Sequence, residues 1–397
     1  MEIWQFNLRH LKAAAKIVEL GTVNAAADAV NLSQPAITQA LGRLEKQLGV
    51  ILFERRFDGM VPTEAAILLA PRIDAAMGQL NGSHVTMSRL RALLTLADQG
   101  SYAGASQMSG LSLPSIHRAV ADLSTAMRRK LVERRGKIVA LTEAGYAVVR
   151  AFRLARVELE MGLSEVEALK GRETRSIAVG AMPLSRARVL PGAVARFIRN
   201  HPKVRLRIAE GSRAELLEPL RQGVLDLMIG ALRDPLMEED LIQTALFEDL
   251  PAIYGRAGHP LAGKAPSAED LARYDWVVPQ RGAPLRDSFE RFFERAGSAL
   301  PLVPIESGSV MMVRQLLMDS DFLTLLSPDQ VAVEMEAGWL VQLARLPPGL
   351  GRTIGMTWRA SWRPTAVQRD FIDDLCAASE VVPGFKHANL SHIRSMN

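Results

Sequence analysis

Ser33, Gln34, Thr38, Gln39 and Arg43 lie close together, and none has a histidine, cysteine or carboxylate placed to make it a nucleophile or a proton relay. Their chemistry is recognition. Amide and hydroxyl groups offer donors and acceptors side by side, the pattern that hydrogen-bonds the edge of a base pair. Taken singly, each is an ordinary wet position on a helix. Taken as a spaced set, they point to nucleic acid.

The surrounding residues must put that set on one face. Ile37, Leu41, Leu44 and Leu48 recur at helical spacing and form a buried stripe, which leaves Thr38, Gln39 and Arg43 on the opposite side. Ser33 suits the N-cap, and Pro35 is tolerated in the first turn, where its missing N–H has no helical partner. Gly49 ends the helix. Leu52-Phe53-Glu54-Arg55-Arg56 through Val61-Pro62-Thr63 then reads as a short hairpin, with Arg55 and Arg56 placed to clamp phosphates. Upstream, Leu8, Leu11, Ile17 and Val18 line a first helix that stops at Gly21. Asn24 is the expected cap of a second helix containing Ala25-Ala26-Ala27, and a turn follows near Asn31-Leu32. Three helices and a hairpin make a winged helix-turn-helix.

The segment occurs twice. Shifted by 79 residues, positions 11–65 fall on 90–144 without a gap, with 17 identities that include Ser33/Ser112, Pro35/Pro114, Ile37/Ile116, Leu44/Leu123 and Arg55/Arg134. Chance would give about 4. In the second copy Gln34 becomes Leu113, Thr38 becomes His117, Gln39 becomes Arg118, and Gly49-Val50-Ile51 becomes Arg128-Arg129-Lys130. The last change removes the glycine that ends a helix cheaply. Ser115, His117, Arg118, Arg134 and Arg135 remain candidates to face DNA. Two readings of copy two stand side by side: a second reader with a different preference, or a structural or phosphate-gripping copy.

Copy one resembles the N-terminal domain of LysR-type transcription regulators. The resemblance rests on Ser33-Gln34-Pro35-Ala36-Ile37-Thr38, Leu44-Glu45, Leu48-Gly49-Val50, Leu52-Phe53-Glu54-Arg55 and Thr63-Glu64. It implies contacts to double-stranded DNA from Ser33, Gln34, Pro35, Thr38, Gln39, Arg43, Arg55 and Arg56. The family usually carries one such domain, so the duplication changes the operator geometry to be expected.

After Thr142-Glu143 the chain reads as one long helix to about Lys170. Val148, Phe152, Ala155, Leu159, Leu163 and Val166 form its apolar seam. The resemblance implies that this helix pairs two subunits; the alternative is a helix folded down onto its own domain. The shorter stretch from Ala65 to Leu80 is expected to be interrupted at Pro71 and to bridge the copies, ending in a loop at Asn81-Gly82-Ser83.

From Ser176 onward strand-like and helix-like segments alternate, as in an α/β sheet, and the pattern restarts at Asp275. The segments 177–180, 204–208, 225–230, 275–279 and 322–327 read as strands, and the final stretch after Gly355 returns to the first half. Leu190-Pro191 through Phe197, Gly223-Val224-Leu225-Asp226-Leu227, His259-Pro260-Leu261-Ala262 and Gly338-Trp339-Leu340 resemble the LysR effector domain, a two-lobed fold similar to periplasmic binding proteins. His259 then belongs to a structural loop phrase. The resemblance implies a ligand between the lobes. The candidate contacts are Ser185, Ser212, Ser307 and Ser309 as donors and Arg281 and Arg286 as cationic partners, for a small organic, aromatic or sugar-derived acid. Each serine equally fits a plain N-cap.

Bulk properties agree with this organisation. The 397 residues suffice for several domains, and 48% hydrophobic with 23% charged residues is globular composition. Net charge is +5, and its distribution is uneven: residues 1–150 hold 18 Lys+Arg against 12 Asp+Glu, a balance of +6, and the remainder stands at −1. A basic N-terminal third fits a polyanion partner. No apolar run reaches the roughly 18 residues of a membrane span, and the N-terminus lacks a signal-peptide pattern. The single Cys376 fits a buried apolar position in a reducing, cytoplasmic protein. There is no Gly-rich phosphate loop, no His-Glu-x-x-His and no cysteine pair, and seven histidines are scattered, so no enzyme, cofactor or metal site is expected.

The expectation is therefore a multidomain chain. Residues 1–80 and 84–142 are all-α-type winged helix-turn-helix domains and 143–172 a linker and dimerisation helix. Residues 173–383 are an α/β periplasmic-binding-protein-like effector domain of two lobes, and 384–397 a tail. It binds DNA as a homodimer or homotetramer, responds to a small molecule, and acts on RNA polymerase access. The competing reading is a ligand sensor that works through protein partners, its second winged domain off DNA.

Overall fold

A computed structural model describes residues 2–56, 59–80, 85–136, 138–172 and 176–380, so the loop at 81–83 and the tail at 384–397 lie outside the described residues. The chain divides into two compact units, 1–175 and 176–397.

The first unit holds both copies around one continuous apolar core that runs from Ile3 to Val166. Copy one comprises α1 (Leu8–Leu20), α2 (Val23–Val30), α3 (Gln34–Leu48), the hairpin β1 (Phe53–Arg56) and β2 (Gly59–Pro62), and α4 (Glu64–Gln79). Copy two repeats it as α5 (Met87–Gln99), α6 (Tyr102–Ser109), α7 (Leu113–Ala126), β3 (Val132–Arg135) with β4 (Ile138–Leu141), and α8 (Glu143–Leu169). The cap of α2 is Thr22, which accepts from Ala25 N at 3.2 Å, and not Asn24. Thr22 precedes the helix, and Asn24 already lies inside it, where its side chain cannot reach back to an orphan N–H. Pro71 does not interrupt α4, which is continuous from Glu64 to Gln79.

The two copies solve the same backbone demand with exchanged residues. The turn after the second helix takes a left-handed residue, Asn31 (φ 53°) in copy one and Gly110 (φ 68°) in copy two. Past the third helix the pattern inverts: Gly49 (φ 65°) in copy one, Arg128 (φ 51°) in copy two. An L-residue with a Cβ holds that conformation at about 1–2 kcal/mol, so the geometry there is imposed by packing. The wings are tied differently too. Glu45 Oε1 accepts from Leu52 N (2.8 Å) and Phe53 N (3.3 Å), joining α3 to β1. Its counterpart Ser124 donates to Val120 O within its own helix.

The long helix α8 packs against α4 of its own chain. Gly162 lets the two backbones approach: a Cβ there would stand 2.8 Å from Leu69 Cδ1 and 3.0 Å from Arg72 Cβ. Further along, Lys170 Nζ donates to Leu48 O, beside the chain that leads into α4, so the helices run in opposite directions. Between them Arg72 is almost wholly buried. Its guanidinium grips Glu165 through Nε (3.0 Å) and Nη2 (2.7 Å), and Nη1 reaches Glu158 at 3.2 Å.

The second unit begins with β5 (Ser176–Ala181), α9 (Val189–Asn200), β6 (Arg205–Glu210), α10 (Arg213–Arg221), β7 (Leu227–Ala231) and β8 (Leu241–Asp249). The chain then crosses to a second lobe of β9 (Ala252–Arg256), α11 (Ala268–Ala272), β10 (Val277–Val278), α12 (Pro284–Arg295), β11 (Ile305–Glu306), α13 (Val310–Asp319), β12 (Thr324–Leu326), α14 (Ala332–Glu336) and β13 (Leu340–Arg345). It returns with β14 (Arg352–Arg359) and α15 (Ala366–Ser379). The first lobe is a five-stranded sheet in the order β6-β5-β7-β14-β8, parallel among β5, β6 and β7, with β14 antiparallel to both neighbours. The second carries β12-β9-β13 and the parallel pair β10-β11. Each lobe has its own core, Phe197, Trp358, Trp362 and Phe371 in one, Trp276, Phe289 and Phe293 in the other. The return of the chain after Gly355 is as expected; β8, β9 and β13 were not. β8 carries polar side chains at half-buried positions, and β9 contains a glycine, which together blur the alternation that marks a strand.

Two outcomes test these packing claims. Arg72→Ala leaves two half-buried carboxylates without their cation and removes a buried side chain, and is expected to cost about 2–3 kcal/mol, read as an earlier urea transition of the full-length protein. Glu45→Ala orphans two backbone N–H groups and should cost about 1–3 kcal/mol, whereas Ser124→Ala moves the same transition by less.

Candidate nucleic-acid interface and effector cleft

Ser33 caps α3, accepting from Ala36 N, and Ile37, Ala40, Leu41, Leu44 and Leu48 are buried beneath the helix. The opposite face carries Gln34, Pro35, Thr38, Gln39 and Arg43, all exposed. The Thr38 hydroxyl donates to Gln34 O at 3.1 Å, which fixes its rotamer and leaves its lone pairs and methyl outward. The structure thus brings together the recognition set of copy one. On the wing Arg55 and Arg56 are exposed, and Arg56 meets Glu54 at 3.0 Å. Both partners of that pair are more than half exposed, so it offers little competition to a phosphate. Arg43 also faces His10, whose pKa is lowered from its ordinary value by burial first and by the arginine second.

Copy two presents a different surface. Ser112 caps α7, accepting from Ser115 N at 3.3 Å, and the hydroxyls of Ser112 and Ser115 are 2.7 Å apart, so Ser115 is engaged within its own turn. His117 lies flat on Tyr102, ring centroids 3.5 Å apart and planes 18° from parallel. One face of the imidazole is therefore covered, while the residue as a whole stays exposed, so His117 remains a candidate to face DNA. Burial pushes the Tyr102 hydroxyl pKa up, with Arg134 acting against it. Tyr102 was missed from the sequence, where the only signal is that it replaces Val23 of copy one. Arg118 and Arg134 are exposed; the side chain of Arg135 lies outside the described residues. Arg128, Arg129 and Lys130 are also exposed at the end of α7.

In the second unit the predicted effector contacts mostly serve the fold. Ser212 caps α10 in a reciprocal box with Glu215, and Ser309 caps α13. Ser185 is buried and donates to Met182 O at 2.8 Å, and Ser307 accepts from Ser309 N at 3.2 Å. Arg286 is buried between Glu290 (2.7 Å) and Glu306 (2.9 Å), while Arg281 is exposed, 3.8 Å from Glu290. A cavity of about 760 Å³ opens instead between the lobes, lined by Arg233, Asp234, Gln243 and Arg352 on one side and Pro284, Asp287 and Arg291 on the other. None of the six predicted residues lines it. Arg233 donates to Gly282 O (2.9 Å) across the cleft, and Arg352 is paired with buried Asp249. His259 behaves as its loop phrase implied: Nδ1 accepts from Leu261 N at 3.1 Å and the ring packs on Tyr274.

Among the described residues no group of three or more His, Cys, Asp or Glu side chains could hold a metal ion, and no helix is long and apolar enough to cross a membrane.

Comparison with known proteins agrees with this layout. The family model described as the LysR substrate binding domain matches residues 170–378. The model of the bacterial regulatory helix-turn-helix protein, lysR family, matches twice, at 8–67 and 87–146. The HTH-type transcriptional regulator GalR of Pseudomonas putida is 30% identical over 367 residues, which cover 89% of this chain and 92% of that protein. The SDS degradation transcriptional activation protein of a Pseudomonas species is 32% identical over 270 residues, 66% of this chain and 86% of its own. A full-length OxyR variant from Pseudomonas aeruginosa superposes with a TM-score of 0.59 at 23% identity, covering 77% of this chain and 99% of that one. Full-length CbnR in complex with target DNA gives 0.52 at 17%, covering 73% and 98%. Two winged domains joined to a two-lobed α/β domain, matched in order by these models, place the chain in the LysR family: it is a LysR-type DNA-binding transcription regulator with an effector-binding domain.

Proposed function

We propose that this regulator reads base edges with copy one and answers to a small acid bound between the lobes of its second unit. The observation that carries the DNA reading is the exposed set Gln34, Thr38, Gln39 and Arg43 on one face of α3, held by the buried stripe behind it. The amide pairs bidentately with adenine, and the N-terminal half of such a helix is the part that enters the major groove. Arg55 and Arg56 fix the register through phosphates. The protein acts in the cytoplasm as a homo-oligomer, with no reaction of its own, and changes polymerase access when the lobes shift on their ligand.

An acidic effector is supported by the cavity lining, where Arg233, Arg291 and Arg352 face Asp234 and Asp287. Arginine forks suit carboxylates, and the volume fits a small organic or aromatic acid.

In mobility-shift titrations against genomic fragments, Gln34→Ala with Thr38→Ala should lose about 1–3 kcal/mol of discrimination per base contact and keep its non-specific affinity. Arg55→Ala should weaken binding to all sequences and lower the slope of log K against log salt by about 1. Retention of no fragment at low salt would instead favour the sensor that works through protein partners. For the effector, calorimetry with a panel of organic acids should show binding that Arg291→Ala weakens about tenfold or more, and binding confined to neutral compounds would overturn that part.

A further inference from the structure

We infer that a single chain carries a complete two-headed DNA clamp, in which copy one reads bases and copy two grips phosphates. The inference rests on the DNA-binding reading above and adds who supplies the second head and what that head does.

The pairing of α4 with α8 comes first. These helices are equivalent elements of the two copies, and they pack in opposite directions inside one core, so the copies are joined as two subunits of a two-fold dimer would be. The charges in the seam show that the pairing is selective. Arg72 of α4 meets Glu158 and Glu165 of α8. At the equivalent positions, 79 residues apart, copy two has Ala151 for Arg72, and copy one has Gln79 and Thr86 for the two glutamates. A pair of α4 helices from two chains would therefore bury two arginines with no carboxylate opposite. A pair of α8 helices would set the half-buried Glu158 and Glu165 of each chain against Ala151 in place of the arginine. Only α4 with α8 closes the charge, and a buried unpaired ion costs far more than a mismatched surface one.

The heads then differ in chemistry. Copy one exposes Gln34, Thr38 and Gln39, groups that distinguish bases. Copy two has Leu113 at the position of Gln34, its Ser115 hydroxyl is engaged with Ser112, and its exposed His117 has one face stacked on Tyr102. In exchange it exposes Arg128, Arg129 and Lys130 past the end of α7 and Arg134 on the wing, where the counterparts of residues 128–130 are the uncharged Gly49, Val50 and Ile51. Cations without base-reading neighbours bind phosphate irrespective of sequence, and they do so with steep salt dependence.

The test uses the full-length protein and a random duplex pool, followed by footprinting on the selected sites. Wild type, Gln34→Ala/Thr38→Ala, and Arg128→Ala/Arg129→Ala/Lys130→Ala are compared. Expected for wild type is a specific half-site flanked on one side by roughly one helical turn of protection without sequence preference. The copy one variant keeps salt-dependent binding and loses the motif. The copy two variant keeps the motif, loses the flanking protection, and lowers the salt slope by about 2–3. A second specific half-site that vanishes in the copy two variant overturns the division of labour, as does an unchanged footprint and slope. No salt-dependent binding by wild type overturns the DNA-binding reading itself and this inference with it. The intrachain pairing is read separately by oxidising Leu69→Cys/Gly162→Cys in a Cys376→Ser background. A cross-linked product of one-chain mass supports it. A two-chain product, or no cross-link under oxidation with the salt slope intact, overturns it.

Discussion

The guanidinium of Arg72 holds together more of this protein than any group on its surface. It sits between α4 and α8 with a fork to Glu165 and a third bond to Glu158, and the helices that carry these groups are the stems of the two winged domains. A buried arginine is unfavourable unless carboxylates close its geometry, so the cluster contributes more to choosing the partner helix than to raw stability. Gly162 supplies the close approach, and Lys170 anchors the far end of α8 on the Leu48 carbonyl. With the stems fixed, the positions of α3 and α7 within the first unit are fixed too. The placement of both third helices within the first unit thus leans on a polar contact in the seam between their stems.

Around that seam the duplicated segments have diverged in chemistry while keeping their backbone. Asn31 and Gly110 take the same left-handed turn, as do Gly49 and Arg128. Thr63 and Thr142 both reach back from the wing's end, to the carbonyls of Ile51 and Lys130. The differences fall on exposed positions, on the buried seam, where the counterpart of Arg72 is Ala151, and on the tie between helix and wing, where Glu45 has become Ser124. Backbone shape was retained at the turns that hold the third helix of each copy, and side chains changed on its exposed face.

Much of this was legible in the sequence. The stripe Ile37, Leu41, Leu44, Leu48 and the cap Ser33 located α3 and its exposed face, because helical periodicity with a capping hydroxyl is a local property. The repeat was legible because identities survived at core and turn positions. The partner of α8 was not: an apolar seam reads the same whether its other half comes from a second chain or from residues 64–79 of the same one. Tyr102 on His117 was invisible for a related reason, since the stack joins two helices across a turn. In the second unit Ser212 and Ser309 cap helices and Ser307 accepts from Ser309 N; a hydroxyl that caps a helix and one that holds a ligand have the same sequence signature. β8 and β9 escaped because a mixed burial pattern and a short, glycine-containing segment leave no clean alternation.

Joining two heads by a covalent chain changes how the protein responds to dilution. Heads contributed by separate chains come apart as the copy number falls, and binding at the operator then scales with the square of concentration. Here α4 and α8 see each other at an effective concentration set by the connecting segment, on the order of millimolar for short linkers. A cell holding only a few molecules of this regulator still holds α4 and α8 of each one assembled.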